Sequence, residues 1–304
     1  MGPGLECNDT VEHIPVLAAT LAEQINLPQD AVMVDATIGQ GGHSFLFGQM
    51  FNSRGVIVGF DVDESSLRRA ESKLKTLKCK TILIHSNFSE VAERLEAEGI
   101  EKVDLLLADL GVSSSQLSDA EKGLSFLEDM PLDMRIDQRI KGSAADIVNE
   151  FDEKSLADLI YKYGEDRASR RIARFIVQNR VNQPITTTGQ LANIVCKALG
   201  KSGKRSRLHP ATRTFQALRI AVNDELSNLE RLLEAGPGVL KKDGYIAIIS
   251  FHSLEDRLVK WNFKENEKRN DYSIVTKKPI VASRDEIAEN RRARSAKLRI
   301  AKRL

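Results

Sequence analysis

The stretch Asp35-Ala36-Thr37-Ile38-Gly39-Gln40-Gly41-Gly42-His43 decides the fold. It closes a short β-rich run, Ala31–Thr37, and leads into Ser44–Gln49, which reads as helix. A glycine-rich turn between strand and helix lets backbone approach a ligand closely. The helix N-terminus behind it is electropositive. Glycine turns are also a common structural device, so the spacing around this one carries the argument. The next apolar run, Gly55–Asp61, ends in an acid 22 residues after Gly39. In doubly wound α/β proteins an acid at that place accepts from both ribose hydroxyls of an adenosine. The dinucleotide fingerprint G-x-G-x-x-G begins with Gly39 and Gly41 but meets Ser44 at its sixth position, so a nicotinamide dinucleotide is not expected.

Asp35, just ahead of the glycines, would repel a pyrophosphate and suits a cationic ligand instead. S-adenosylmethionine is such a ligand, with an ammonium, a sulfonium and no phosphate. Asp109 ends a further apolar run, Val103–Asp109, and adds a third carboxylate. Any one of these acids could be a helix cap or a surface charge, but three at strand ends form a pattern.

Outward from the turn, strand and helix patterns alternate. Leu17–Ile25, Glu64–Leu77 and Val91–Glu98 read as helices, and Thr81–His85 as a strand between them. Such alternation means βαβ units and a parallel sheet. Near-continuous apolar strands fit a sheet covered on both faces. From Ser113 to Arg207 no convincing strand appears. Ala144–Phe151, Ser155–Tyr163, Arg167–Gln178 and Thr188–Leu199 read as helices, with Ser155 and Asp158 as a capping box. Lys201–Arg207 reads as a basic loop. The α/β pattern then resumes with one long helix, Ala211–Ala235, and a turn-rich connection, Gly236–Gly244. Tyr245–Phe251 is a strand and Leu254–Glu267 a helix, and Ser273–Lys277 and Lys297–Ala301 complete the strands. The expectation is a discontinuous α/β domain, 1–112 and 208–304, with a helical block, 113–207, inserted at a strand's C-terminal end. Open α/β sheets bind ligands there.

Composition narrows the class. The 304 residues suggest about two domains at roughly 150 residues each. The longest apolar runs are strand-sized, and a membrane-spanning helix needs about 20 apolar residues, so no membrane span is expected. Met1–Glu6 has neither the basic nor the apolar region of a signal peptide, and Glu6 breaks the myristoylation pattern. Cys7, Cys79 and Cys196 are too far apart for a disulfide framework or a zinc site, so no metal and a reducing cytoplasm are expected. The net charge of +2 hides an asymmetry. Residues 89–160 hold 18 acids and 7 bases, whereas 201–219 hold 6 bases and no acid. Residues 255–304 hold 15 bases and 8 acids. Segregated charge of this kind suits a nucleic-acid surface, and equally a solvated face salt-bridged to the acidic part.

Seven motifs add a resemblance. They are His13–Leu17, Asp35–His43, Asp109–Leu117, Gly123–Phe126, Pro131–Arg135, His209–Arg219 and Ser250–Arg257. Together the chain resembles the RsmH (MraW) family of bacterial 16S ribosomal RNA cytosine-N4 methyltransferases, from His13 to about Arg299. The resemblance implies a class I S-adenosylmethionine-dependent methyltransferase sheet, Rossmann-like, with an inserted all-helical substrate-recognition domain. It implies that Gly41, Gly42 and His43, together with the turn glycine Gly39, contact S-adenosyl-L-methionine. Asp61 matches the ribose acid and Phe88 the residue beside the adenine, while Asp109 and Gln116 complete the cofactor set. Ser115 stands where some relatives carry proline, and the segment between Lys268 and Asp285 is short. The [D/N/S]-P-P-[Y/F] motif of many amine methyltransferases is absent, because its place reads Asp109-Leu110-Gly111-Val112.

The implied partners are 16S rRNA and the 30S subunit, and a homodimer is left open. Two alternatives stay beside this reading: a class I methyltransferase for a protein or small molecule, and a non-catalytic ribosome-assembly factor. A cytosine amine is a poor nucleophile, so positioning and an acceptor for its hydrogens matter. Asp109, His252 and Asp133 are the candidates for catalysis. Ser113, Phe126, Arg135, Arg213, Ser250, Phe251 and Arg257 are candidates for substrate contact, the aromatics by stacking and the arginines through phosphate. Core packing is the alternative for Phe251, and salt bridges for the arginines. The inserted block and the basic segments are expected to face the cleft beside Gly41 together.

Overall fold

The computed structural model describes residues 15–113, 116, 117, 119–200 and 209–304. The expected basic loop, Lys201–Arg207, and Ser115 lie outside the described residues. Helix α1 (Ala18–Gln24) precedes β1 (Val32–Asp35), and α2 (Gly42–Gly48) follows the glycine turn. Then come β2 (Val56–Asp61), α3 (Glu64–Leu74), β3 (Lys80–His85), α4 (Val91–Ala97) and β4 (Val103–Asp109). The middle of the chain holds α5 (Ala144–Glu150), α6 (Glu153–Gly164), α7 (Ser169–Arg180) and α8 (Thr188–Leu199). Last come α9 (Thr212–Asn223), α10 (Glu225–Val239), β5 (Leu240–Ser250), α11 (Ser253–Lys268), β6 (Tyr272–Ile274), α12 (Arg284–Glu289) and β7 (Lys297–Arg303).

One sheet runs β3-β2-β1-β4-β5-β7-β6. The strands β1 to β5 are parallel, and β7 runs antiparallel between β5 and β6. This is the class I methyltransferase sheet, a Rossmann-like α/β fold. Chain order reverses between β1 and β4, which opens a crevice at the C-terminal ends of the strands. Alternation along each strand feeds two cores. Val34, Val58, Phe60, Leu106 and Ile248 face Leu229 and Leu233 of α10 and Phe263 of α11. Met33, Ile57, Leu105, Leu107 and Ile249, with Leu298 and Ile300 of β7, pack in one cluster with Leu21 of α1 and Phe47 of α2. A third core is helical. It joins Leu156, Ile160, Ile172, Ile176, Leu191 and Val195 to Phe215, Leu218 and Val222 of α9.

Three local expectations are corrected. The long helix over Ala211–Ala235 is two helices, because Asp224 adopts φ 48°, ψ 39° between them. Aspartate tolerates this left-handed conformation better than most residues, and the apolar spacing runs on through the break, so nothing periodic marked it. Ser155 does not cap α6. Asp152 does, accepting from the Ser155 backbone N–H, so the helix starts a turn earlier. The capping boxes are Ser143/Asp146, Thr187/Gln190 and His252/Glu255. The connection Gly236–Gly244 is not all turn. Helix α10 continues past Pro237, and β5 pairs with β4 from Leu240, with an irregularity before Tyr245 where Asp243 adopts φ 67°.

Gly123 shows how tightly the segment entering the helical block is built. It has φ +58°, and a Cβ there would overlap the Pro131 carbonyl oxygen. Gly123→Ala should cost about 3 kcal/mol or more, adding overlap to backbone strain. Gly99→Ala is the control. Gly99 has φ +70° with nothing within 4 Å of a Cβ, and should cost only about 1–2 kcal/mol. Denaturant unfolding of the two variants checks the difference, and equal losses would contradict it.

Candidate active site

The glycine turn is held by carboxylates from two neighbouring strand ends. Asp35 is fully buried; its Oδ2 accepts from Ser44 Oγ at 2.7 Å and its Oδ1 from the Thr37 N–H at 3.3 Å. Burial pushes this carboxyl above its ordinary range. Asp35 does not line the cavity at the strand ends, which corrects its reading as a partner for a cationic ligand. Its duty is to fix the turn. Asp61 does reach the cavity. Its Oδ2 accepts from the Gly39 N–H at 3.0 Å and its Oδ1 from the Asp63 N–H at 2.8 Å. Burial, partly offset by those hydrogen bonds, moves its carboxyl up to about 6. Gly41 lies behind the cavity at φ +78°, close against Ala70.

Asp109 is tied to the same turn through its backbone, since its N–H donates to Thr37 Oγ1 at 2.7 Å. Its Oδ2 lies 3.5 Å from His43 Nε2. Its Oδ1 and both ring nitrogens of His43 are buried without a hydrogen-bond partner among the described residues. Buried polar atoms are nearly always satisfied, so unpaired ones at a cavity wall mark a place for a ligand. The cavity has a volume of about 360 Å³ and is lined by Gly39, Gly42, His43, Asp61, Phe88 and Asp109. Gln116, whose Oε1 accepts from the Ser113 N–H at 2.8 Å, lines it too. Carboxylates and an aromatic ring lining one cavity suit a ligand with a cation, a ribose diol and a base, as S-adenosylmethionine has.

A second set of residues closes the same cavity: Arg219, Asn223, Glu225, Phe251, Glu255 and Arg292. Arg219 donates from Nε and Nη2 to the two oxygens of Glu225, at 2.7 and 2.9 Å. That pairing holds the guanidinium charged despite its burial. Arg292 Nη2 donates to the Val112 carbonyl at 2.8 Å. Asn223 links α9 to the segment before α5, accepting from the Ile136 N–H and donating to the Met134 carbonyl, both at 2.8 Å. Ile136, Asp137 and Ile140 of that segment line the cavity as well. Sequence reasoning singled out Arg219 only as one charge among several, and Glu225 not at all. The two are brought together across the Asp224 break, which no spacing rule marked.

The other expected residues are placed as follows. Phe251 and Ser113 line the cavity, and Phe251 lies against Gly111, where a Cβ would sit 3.1 Å from its ring. His252 does not line it. Its Nδ1 accepts from the Glu255 N–H at 3.3 Å as the cap of α11, and its Nε2 is 3.2 Å from Glu255 Oε1. Burial and the charge of Arg219 push the imidazole down to about 3, and burial beside Glu225 pushes Glu255 up to about 8. His252 is therefore uncharged near pH 7. Asp133 is held well below its ordinary range by the ion pair with Arg135 at 2.7 Å, against the opposing effect of burial, and lies off the cavity. Arg213 and Arg257 both bind Glu165, at its carbonyl and its carboxylate, at 3.2 and 2.8 Å. Phe126 packs on His209 and Phe215 at 4.7 Å, and Ser250 Oγ donates to the Lys297 carbonyl at 3.3 Å. Glu225, His252 and Glu255 each bring one ligating atom within 4.8 Å of the others, but Arg219 already holds both oxygens of Glu225. No helix among the described residues is long and apolar enough to cross a membrane.

A profile of the MraW methylase family matches residues 10–304. The chain belongs to the MraW methylase family. It is 45% identical over 296 residues to Ribosomal RNA small subunit methyltransferase H of Acidobacterium capsulatum, covering 95% of this chain and 97% of that protein. It is 42% identical over 307 residues to the protein of the same name from Clostridioides difficile, covering 96% and 99%. Among solved structures it is similar to an rRNA methylase from Streptococcus thermophilus, at a TM-score of 0.40 and 12% identity over 94% and 93% of the two chains.

Asp61 makes the site sensitive to pH. As the ribose acceptor that the sequence leads one to expect, an ionised Asp61 would accept from ribose hydroxyls and the protonated acid less well, so cofactor affinity should fall as pH drops through about 6. Calorimetric titration of S-adenosylhomocysteine between pH 8 and pH 5 should show this in the wild type. Asp61→Asn should bind at least tenfold more weakly at pH 8 and lose the pH dependence. An unchanged pH profile in that variant would contradict the assignment.

Proposed function

We propose that this chain transfers the methyl group of S-adenosylmethionine to the exocyclic N4 of a cytidine in the 16S rRNA of the small ribosomal subunit. What carries the reading is one cavity that holds Asp61 beside the glycine turn, the unpaired Asp109 and His43 atoms, and Phe251. The names of the relatives above and the family membership supply the substrate class. The proposed organisation is a discontinuous methyltransferase domain, 1–112 and 208–304, with 113–207 inserted for substrate recognition.

S-adenosylmethionine supplies an electrophilic methyl group when bound. Asp61 would accept from the ribose hydroxyls, Phe88 would lie beside the adenine, and Gly39, Gly42 and Gln116 would line the path between. Gly41 would act from behind by letting the turn close on α3. His43 would face the carboxylate of Asp109 and keep it oriented. The cytosine amine resists attack because its lone pair is spread into the ring. A hydrogen-bond acceptor on its N–H favours the pyramidal nitrogen and takes a proton that becomes more acidic as the new bond forms. Asp109, whose carboxylate lines the cavity, is the group proposed for that duty. His252 and Asp133 are given structural duties, as helix cap and ion-pair partner. Ser113 and Phe251 remain proposed substrate contacts at the cavity.

The bases suited to phosphate are those without an internal ion pair. Lys297 and Arg299 are tied to Asp256, whereas Lys260, Lys264, Arg291 and Arg294 have no ion pair among the described residues. We place the protein in the cytoplasm, where its substrate is made. One chain supplies every residue invoked, so the reading does not depend on the homodimer left open above.

Tritium transfer from labelled S-adenosylmethionine to purified 30S subunits tests the reading. The label should appear in RNA, and nucleoside digestion should yield N4-methylcytidine. Label on protein, on a ring carbon or nowhere would overturn it. Asp109→Ala should lower the single-turnover rate at least about 100-fold.

A further inference from the structure

Cofactor binding leaves Arg219 unexplained. Its side chain is 20% exposed, projects from α9 and lines the cavity. One edge of the guanidinium, Nε with Nη2, is closed by both oxygens of Glu225. The other edge, Nη1 with the second hydrogen of Nη2, has no hydrogen-bond partner among the described residues. A bidentate carboxylate fixes the guanidinium plane as well as its charge. A long, rotamer-rich side chain has thus been pinned in place with two parallel donors left over.

Such a fork matches two acceptors side by side, which a point-charge lysine cannot do. Among pyrimidines, cytosine offers that pair at O2 and N3. Uracil does not, because its N3 carries a hydrogen and would meet a donor with a donor. Phe251 lines the same cavity, and an extruded base is ordinarily stacked on an aromatic ring and read at its Watson–Crick edge. Glu225 is the positioning partner. Its side chain is 17% exposed, and it lies just past the Asp224 break, which turns α10 back so that its first residue meets α9.

We propose that the free edge of Arg219 reads the O2 and N3 acceptors of the target cytosine and so sets the choice of cytosine over uracil. This rests on the cytosine reading above. The amine, on the far side of N3, is left for the part of the cavity that Asp109 lines. The cation beside Glu225, His252 and Glu255 is then the protein's own arginine.

Ligand-observed NMR on the full-length protein saturated with S-adenosylhomocysteine tests the proposal with free nucleosides. Cytidine and zebularine, which lacks the amine but keeps O2 and N3, should bind. Uridine and 3-deazacytidine, which lacks the N3 acceptor, should bind at least tenfold more weakly. Equal binding of cytidine and uridine, equal binding of 3-deazacytidine, or no binding of cytidine would overturn it. Arg219→Lys keeps a cation beside Glu225 and removes the second edge. It should weaken cytidine at least tenfold and leave S-adenosylmethionine affinity within twofold. A tenfold loss of S-adenosylmethionine affinity would mean that this edge holds the cofactor's carboxylate, and would overturn the proposal. Cytidine selectivity in a wild type that labels no RNA would count against the methyltransferase reading and leave the base site standing.

Discussion

Two carboxylates at the C-terminal ends of neighbouring parallel strands, Asp35 buried and Asp61 half-buried at the cavity, hold this site in shape. Asp35 takes the Ser44 hydroxyl and the Thr37 N–H, and Asp61 takes the Gly39 N–H. The Thr37 hydroxyl in turn accepts from the Asp109 N–H, so the ends of β1, β2 and β4 are tied to one another through the turn between them. A parallel sheet puts all its C-terminal ends on one edge, and the reversal of order between β1 and β4 leaves the crevice there. Burying carboxylates is costly, and the raised carboxyls of Asp35 and Asp61 show it. The site spends stability on a turn whose backbone is fixed before any ligand arrives.

Helix α9 makes the second connection. Phe215, Leu218 and Val222 join the helical core, while Arg219 lines the cavity and Asn223 binds the backbone of residues 134 and 136. A displacement of the helical block is therefore felt at the cavity wall through one helix. Glu165 makes a further tie, gathering Ser253, Arg257 and Arg213 where α6 meets α11.

Much of the fold was legible because local and tertiary demands agree along the sheet. Val103–Asp109 is a strand to the residue, and Thr188–Leu199 a helix to the residue, since each is bounded by its own turn or cap. The glycine turn and the acid that ends the second strand were legible as a fixed spacing, and the structure joins them through the Gly39–Asp61 hydrogen bond. The division of labour between Asp35 and Asp61 was not. Both end strands, and only packing decides which carboxylate faces the turn's interior and which the cavity. Arg213 and Arg257 looked like substrate groups and Asp133 like a catalytic one from their motifs, and the structure gives them internal partners. Arg219 and Glu225 escaped notice because their meeting depends on a single left-handed residue. The overall charge of +2 was a poor guide, as many C-terminal bases are neutralised within the fold.

The central claim is that one cavity seats the cofactor at the strand ends and the target base against Arg219 and Phe251. A crystal structure of the protein with S-adenosylhomocysteine and cytidine tests it most directly. The account predicts ribose density on Asp61, adenine beside Phe88, and cytidine with O2 and N3 on the Arg219 fork and its amine toward Asp109. Cofactor density away from Asp61, or cytidine bound outside the cavity with Arg219 still facing solvent, would contradict it.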